Sequence, residues 1–227
     1  EIGSGLVGSE MCIRDRYKGY LTENGTVSTT GTPMRGTAYF VIQDSKGIIW
    51  IATKGDGLIR AESTSPDGMS YRLTRYLHQE DDMYSLSDNN VYCVYEDHHG
   101  RIWVATFGGG INYITEDKDR KTLFINHRNN LKGYPIDPCY KARFITSDNN
   151  GRLWVGTTTG AIAFDENFEK PEEVEFHHFS RVPNDTQSLS NNDVHWIIPT
   201  QNKELYLGTF GGGLNKLVSI DKDGHAK

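Results

Sequence analysis

The chain has 227 residues, with 24 Lys+Arg against 30 Asp+Glu and a formal net charge of −6. That length accommodates one or two domains, and 24% charged with 36% hydrophobic residues describes a folded globular chain, not a disordered one. The acidic balance, without a basic cluster, argues against a nucleic-acid partner, and no apolar run approaches the roughly 18–20 residues that span a bilayer.

The chain begins at Glu1 with no initiator Met and no charged-then-apolar leader, so its natural start is expected upstream. Residues 1–16, EIGSGLVGSEMCIRDR, match nothing downstream. They resemble translated sequencing-adapter tails at the ends of some metagenomic reading frames. An irregular native segment is the alternative, and fold reasoning starts at residue 17 in either case. With 24 Gly, 12 Tyr, 9 Phe and 4 Trp, the remainder favours strands and tight turns over helices. Cys12, Cys93 and Cys139 show no CxxC or metal-ligand spacing, and the latter two are expected to be buried.

Four segments superpose: AYFVIQDSKGIIWIATKGDGLIR from Ala38, VYCVYEDHHGRIWVATFGGGINY from Val91, ARFITSDNNGRLWVGTTTGAIAF from Ala142 and VHWIIPTQNKELYLGTFGGGLNK from Val194. Their anchor aromatics, Trp50, Trp103, Trp154 and Tyr206, are spaced by 53, 51 and 52 residues. The upstream strings YSLSDNNV (84–91) and QSLSNNDV (187–194) keep the same register across two periods. Within each unit, two β-branched and aromatic runs flank an Asp-x-x-Gly turn, and a Gly-rich turn leads to a third strand. A fourth strand is expected at 71–77, 122–127 and 174–179. The fourth unit has Thr200 and Lys203 in place of the turn Asp and Gly.

Four antiparallel strands in about 52 residues, repeated in register, predict an all-β fold: a β-propeller of about four four-stranded blades at residues 38–77, 91–127, 142–179 and 194–220. Tyr17–Glu23 aligns with the last strand of a preceding blade, and the chain stops after a third strand near 214–220. The ends could pair to close a four-bladed ring, or the chain is a slice of a larger propeller; the slice is expected, because the missing start already points to truncation. Such a slice would expose apolar blade faces and dissolve poorly. The anchor aromatics are expected to fill the seams between blades.

The pattern D-x-x-G-x-[IL]-W-[IV]-[AG]-T-x-x-G-[GA]-[IL], present as DHHGRIWVATFGGGI and DNNGRLWVGTTTGAI, resembles the regulator-propeller repeat of two-component sensors over about residues 17–220. The resemblance implies periplasmic propellers, commonly seven-bladed and paired, followed by a Y_Y_Y domain, a membrane helix and a histidine kinase. In gut Bacteroidetes such hybrid sensors detect glycan fragments. It implies an oligosaccharide or other small ligand, attachment to the rest of a sensor chain and room for a homodimer. No cofactor is implied, and any catalysis belongs outside these residues.

In an up-and-down blade the entry loops (78–90 and 180–193) and the second-to-third turns share one face. That face carries the candidate ligand residues: Phe107 and Phe210 as aromatic surfaces, with Asn89, Asn90, Asn192 and Asp193 as polar partners for hydroxyls. The competing reading makes the Asn and Asp residues turn formers and Phe107 a blade cap. Lys54 and Thr158 occupy the corresponding places elsewhere. His98–His99 and His177–His178 are adjacent on strands and point apart, so no metal site is expected, and DKDG at 221–224 is too short for a calcium loop. A sialidase- or lyase-type glycan-active enzyme and a protein-interaction scaffold are the alternatives. The sialidase box places Asp two residues before Gly, whereas Asp44, Asp97 and Asp148 stand three before.

Overall fold

The computed structural model describes residues 18–119, 121–148 and 150–220. Tyr17, the 1–16 segment with Cys12, and the 221–224 turn lie outside the described residues. A short ribbon, β1 (Tyr20–Leu21) and β2 (Val27–Ser28), precedes four sheets. The first contains β3 (Thr37–Gln43), β4 (Ile49–Lys54), β5 (Leu58–Ser63) and β6 (Tyr71–Tyr76). The second contains β7 (Val91–Glu96), β8 (Ile102–Thr106), β9 (Gly110–Glu116) and β10 (Thr122–Asn126). The third contains β11 (Ala142–Ser147), β12 (Arg152–Thr157), β13 (Gly160–Asp165) and β14 (His177–Phe179), and the last β15 (Val194–Pro199), β16 (Leu205–Thr209) and β17 (Gly213–Leu217). Each sheet is an antiparallel meander in chain order. Among the described residues no helix is long and apolar enough to cross a membrane.

Successive sheets pack face to face through their first strands. β7 lies on β3 and β4, β11 on β7 and β8, and β15 on β11 and β12. Three apolar clusters fill the seams. Trp50 and Leu58 meet Val94, Val104 and Phe124 of the second sheet; Trp103 and Ile111 meet Ile145, Val155 and Phe164 of the third; Trp154 meets Ile197 and Leu207 of the fourth. Strands buried on both faces cannot alternate apolar with polar residues, which is why IWVAT of β8 is buried at every position. The expected aromatic seams are present for the three tryptophans. Tyr206 behaves differently: it is half-buried, outside the clusters, with its hydroxyl on Glu204 (3.2 Å).

Each of the first three sheets carries the same lock. Asp44 Oδ1 accepts the amides of Lys46 and Ile48, closing its own turn, while Oδ2 accepts Trp50 Nε1–H at 2.8 Å. Asp97 repeats this with His99, Arg101 and Trp103 (2.8 Å), and Asp148 with Asn150, Arg152 and Trp154 (3.0 Å). One carboxylate thus closes a hairpin and satisfies the polar atom of a buried indole. In the fourth sheet a hydroxyl replaces the carboxylate, Thr200 Oγ1 accepting the amide of Glu204 (3.2 Å), and Lys203 takes the left-handed position at φ +62°.

Three sequence-based expectations are corrected. Tyr20–Leu21 pairs with Val27–Ser28 and not in a blade; the ribbon is held to the β5–β6 turn by Val27 N–H to Met69 O and Tyr71 N–H to Gly25 O, so local pairing wins over the fourth-strand slot. The fourth strand of the third sheet is His177–Phe179, because Pro171 starts a 3-10 turn (Pro171–Glu173) and Val174 turns into the core. The last strand ends at Leu217. A one-turn helix, α1 (Ile136–Cys139), interrupts the connection before β11; four residues are too few to register as a helical period. Cys139 and Cys93 are buried as expected, and burial pushes the Cys93 thiol up to about 12.

A cleft of about 700 Å³ lies between β14, the 180–189 loop and β17. The corresponding space in the second sheet holds β10, whose Phe124 packs edge-on against Tyr76 (5.3 Å). Leu214, Val218, Ile198 and Val41 are exposed, which fits the expected apolar blade faces.

Candidate functional site

Every first strand slips register at one residue, and always the second of the repeat. Pairing jumps from Ala38 to Phe40, Val91 to Cys93, Ala142 to Phe144 and Val194 to Trp196. The four unpaired residues are Tyr39, Tyr92, Arg143 and His195. A bulge re-aims a side chain without disturbing the strand beyond it. Here it separates one free position from the apolar residues that follow and pack between blades.

Two further positions accompany each bulge. The residue entering the first strand (Asn90, Lys141, Asp193) accepts at its carbonyl the N–H of the residue leaving the second strand of its own blade (Phe107, Thr158, Phe210) at 2.8, 3.2 and 2.8 Å. In the first blade Thr37 pairs directly with Lys54. The backbone frame is thus the same in every blade, and the side chains on it differ.

Those side chains form a continuous arc across the blades. Tyr39 meets Tyr92 (4.6 Å between centroids), and Tyr92 stacks on Phe107 at 4.7 Å and 17°. The Arg143 guanidinium and Lys141 ammonium lie 4.9 and 5.3 Å from the Phe107 centroid. Arg143 donates from Nε to Asp193 Oδ1 (2.9 Å) and from Nη2 to Oδ2 (3.3 Å), linking the third blade to the fourth. His195 Nε2 is 3.5 Å from the same carboxylate, and its ring stacks on Phe210 at 5.6 Å and 25°. Burial, then its hydrogen bond with Tyr39, push the Tyr92 phenol above its ordinary value, with Arg143 pulling the other way, so it stays a neutral donor at pH 7.

Three of the residues singled out from sequence, Phe107, Phe210 and Asp193, fall in this arc. Phe107 is sandwiched between Tyr92 and the two cations, whereas Phe210 is 72% exposed and offers an open ring face. Asn90 contributes its carbonyl to the frame and its side chain to Asp88 (3.1 Å). Asn89 and Asn192 clasp the entry loops, their Oδ1 atoms accepting the amides of His78 (2.7 Å) and Arg181 (2.6 Å). Ser85 and Ser188 close the same loops in equivalent ways, so these loops are rigid supports. Tyr39, Tyr92, Lys141, Arg143 and His195 were not singled out. The signal for the four bulge residues was a column: Y, Y, R and H at the second place of four otherwise apolar strand starts; Lys141, one residue before its strand, is outside that column.

Among the described residues no group of three or more His, Cys, Asp or Glu could hold a metal. His98 and His99 lie in the β7–β8 turn and not on a strand, so they do not point apart: His98 Nδ1 lies 2.7 Å from buried Glu166 and His99 Nε2 3.0 Å from Asn167, which ties the second blade to the third.

Antiparallel sheets packed face to face through their first strands, with a bulge in every unit and a lock in the first three, define a β-propeller segment. Residues 85–108 match the family model described as Two component regulator propeller, a span holding the Ser85 clasp, the Tyr92 bulge and the Asp97–Trp103 lock. The fold is similar to the extracellular domain assigned to the hybrid two component system BT3049 from B. thetaiotaomicron (TM-score 0.59, 23% identity, covering 88% of this chain and 23% of that one). It is also similar to the extracellular domain assigned to the one component system BT4673 from B. thetaiotaomicron (0.57, 24% identity, 85% and 25%). Virginiamycin B lyase from Staphylococcus aureus shares the fold at TM-score 0.52 and 16% identity, covering 86% of this chain and 60% of that one. The chain spans about a quarter of the length of the two B. thetaiotaomicron domains. No curated protein matches the sequence.

Proposed function

We propose that this segment is the ligand-reading part of an extracytoplasmic two-component sensor, that it recognises glycan fragments, and that a histidine kinase elsewhere in the sensor receives the signal. The observation that carries this reading is the arc: one frame repeated in every blade, presenting Tyr39, Tyr92, Arg143 and His195 at a single homologous position. Aromatic faces cover the C–H surface of a sugar, and nearby donors and acceptors take its hydroxyls. The regulator-propeller match over residues 85–108 supports the sensor role. A structural carboxylate of the arc, Asp193, is committed to Arg143, which favours binding over acid–base turnover.

Signalling requires a difference in affinity. A ligand biases the kinase only if it binds one arrangement of the propeller and its neighbours better than another. Titration calorimetry of the folded 227-residue chain against a panel of plant and host oligosaccharides tests the recognition step. At least one member is expected to bind, and Phe210→Ala is expected to weaken it about tenfold, since a desolvated aromatic contact contributes on the order of 1–2 kcal/mol. Absence of binding by a chain whose fold is verified by circular dichroism would overturn the reading.

A further inference from the structure

We infer that the third blade forms an acid-recognising subsite, in which Lys141 and Arg143 take the carboxylate of a uronic acid residue; this rests on the glycan-reading proposal and narrows its ligand class. Arg143 is the one bulge residue with a permanent charge, and Lys141 stands two residues before it on the same frame. Both cations face the Phe107 ring (4.9 and 5.3 Å), and Lys141 also faces Tyr140 (5.2 Å). Among the described residues Lys141 has no carboxylate within 4.0 Å, although the chain as a whole carries a charge of −6.

The geometry for a carboxylate is already displayed. Asp193 takes the Nε–H and one Nη2–H of Arg143, which leaves the second Nη2–H, both Nη1–H groups and the Lys141 ammonium as the remaining donors. Stacking on Phe107 holds the guanidinium plane before any ligand arrives, so little freedom is lost on binding. Tyr39 (44% exposed) and Phe210 (72% exposed) stand at the two ends of the arc as apolar surfaces for flanking sugar rings. The anion that faces Arg143 is Asp193 itself. An aromatic–cation–aromatic order suits a charged saccharide better than a neutral one.

The test is calorimetry on the full chain with oligosaccharides prepared from polygalacturonate, alginate and hyaluronan, against neutral ones from galactan, mannan and xylan. An acidic member is expected to bind more tightly than every neutral one, with affinity falling as salt rises. Arg143→Gln and Lys141→Gln are each expected to weaken it about tenfold or more, the effect of losing one charge-assisted hydrogen bond. Asp193→Asn separates recognition from architecture. It is expected to keep or tighten acid binding, because it removes a competing carboxylate, whereas a merely structural ion pair would make it lose binding as Arg143→Gln does. That loss, equal binding of neutral and acidic members, or indifference to Arg143→Gln in variants with unchanged melting curves would overturn the subsite. Binding of neutral sugars alone would overturn it and leave the glycan reading intact, and absence of binding by any member would overturn both.

Discussion

Asp97→Ala is expected to destabilise the chain by about 3–5 kcal/mol, the cost typical of breaking a buried charge network by removing one partner. The Asp97 side chain has no exposed surface, and it accepts from the amides of His99 and Arg101 (both 2.9 Å), from Trp103 Nε1 (2.8 Å) and from Arg101 Nε (2.6 Å). Alanine leaves the indole donor buried without its acceptor, in the seam between the second and third sheets. Asp97→Asn does not rescue the lock, because its NH2 would face two other donors. Asp117 supplies the control within the same sheet. It closes the β9–β10 turn through the amides of Asp119 (2.9 Å) and Lys121 (2.8 Å), and among the described residues it accepts no indole hydrogen. Asp117→Ala should cost about 1 kcal/mol, the ordinary worth of an exposed turn bond. Urea unfolding of the two variants measures the difference.

A second pair of substitutions separates backbone strain from blade completeness. Gly57 and Gly213 occupy the same place at the head of the third strand, with φ +72° and +77°. A Cβ on Gly57 would stand 2.1 Å from the carbonyl oxygen of Tyr76 in the neighbouring fourth strand, while one on Gly213 would meet nothing within 4 Å. Both alanine variants incur the positive-φ penalty of about 1–2 kcal/mol. Gly57→Ala must in addition push β6 away from β5, and is expected to lose at least about 3 kcal/mol in total. Comparable losses at the two sites would show that the fourth strand plays no part in the cost.

The fold was legible because blades are local. Each hairpin closes within a few residues, so turn chemistry and β-branched runs repeat visibly, and the nearly equal spacing of Trp50, Trp103 and Trp154 exposed the period. What bonds those indoles was less visible, since an Asp-x-x-Gly string reads as a turn whether or not a tryptophan reaches it. The fourth unit illustrates the link: it has neither the turn Asp nor the Trp, and Tyr206 finds Glu204 instead.

The candidate site was half legible. Asn89 and Asn192 looked like ligand residues because they are polar and lie on long loops, yet their carbonyl oxygens are spent on the amides of His78 and Arg181. The bulge residues were hidden for a different reason. A bulge is a property of the register between two strands, and neither strand alone shows it. Only the pairing jump from Ala142 to Phe144 reveals that Arg143 leaves the sheet's alternation and can reach Asp193 in the next blade.

The central claim is that one hydrogen-bonded frame repeats from blade to blade, with a carboxylate holding each seam tryptophan. Hydrogen exchange of the four indole N–H groups, followed by ¹⁵N-resolved NMR, addresses it directly. Trp50, Trp103 and Trp154 should exchange slowly and together, near the limit set by global unfolding, while the half-exposed Trp196 exchanges within the dead time. Fast exchange at any of the first three, or protection of Trp196 equal to theirs, would contradict the account.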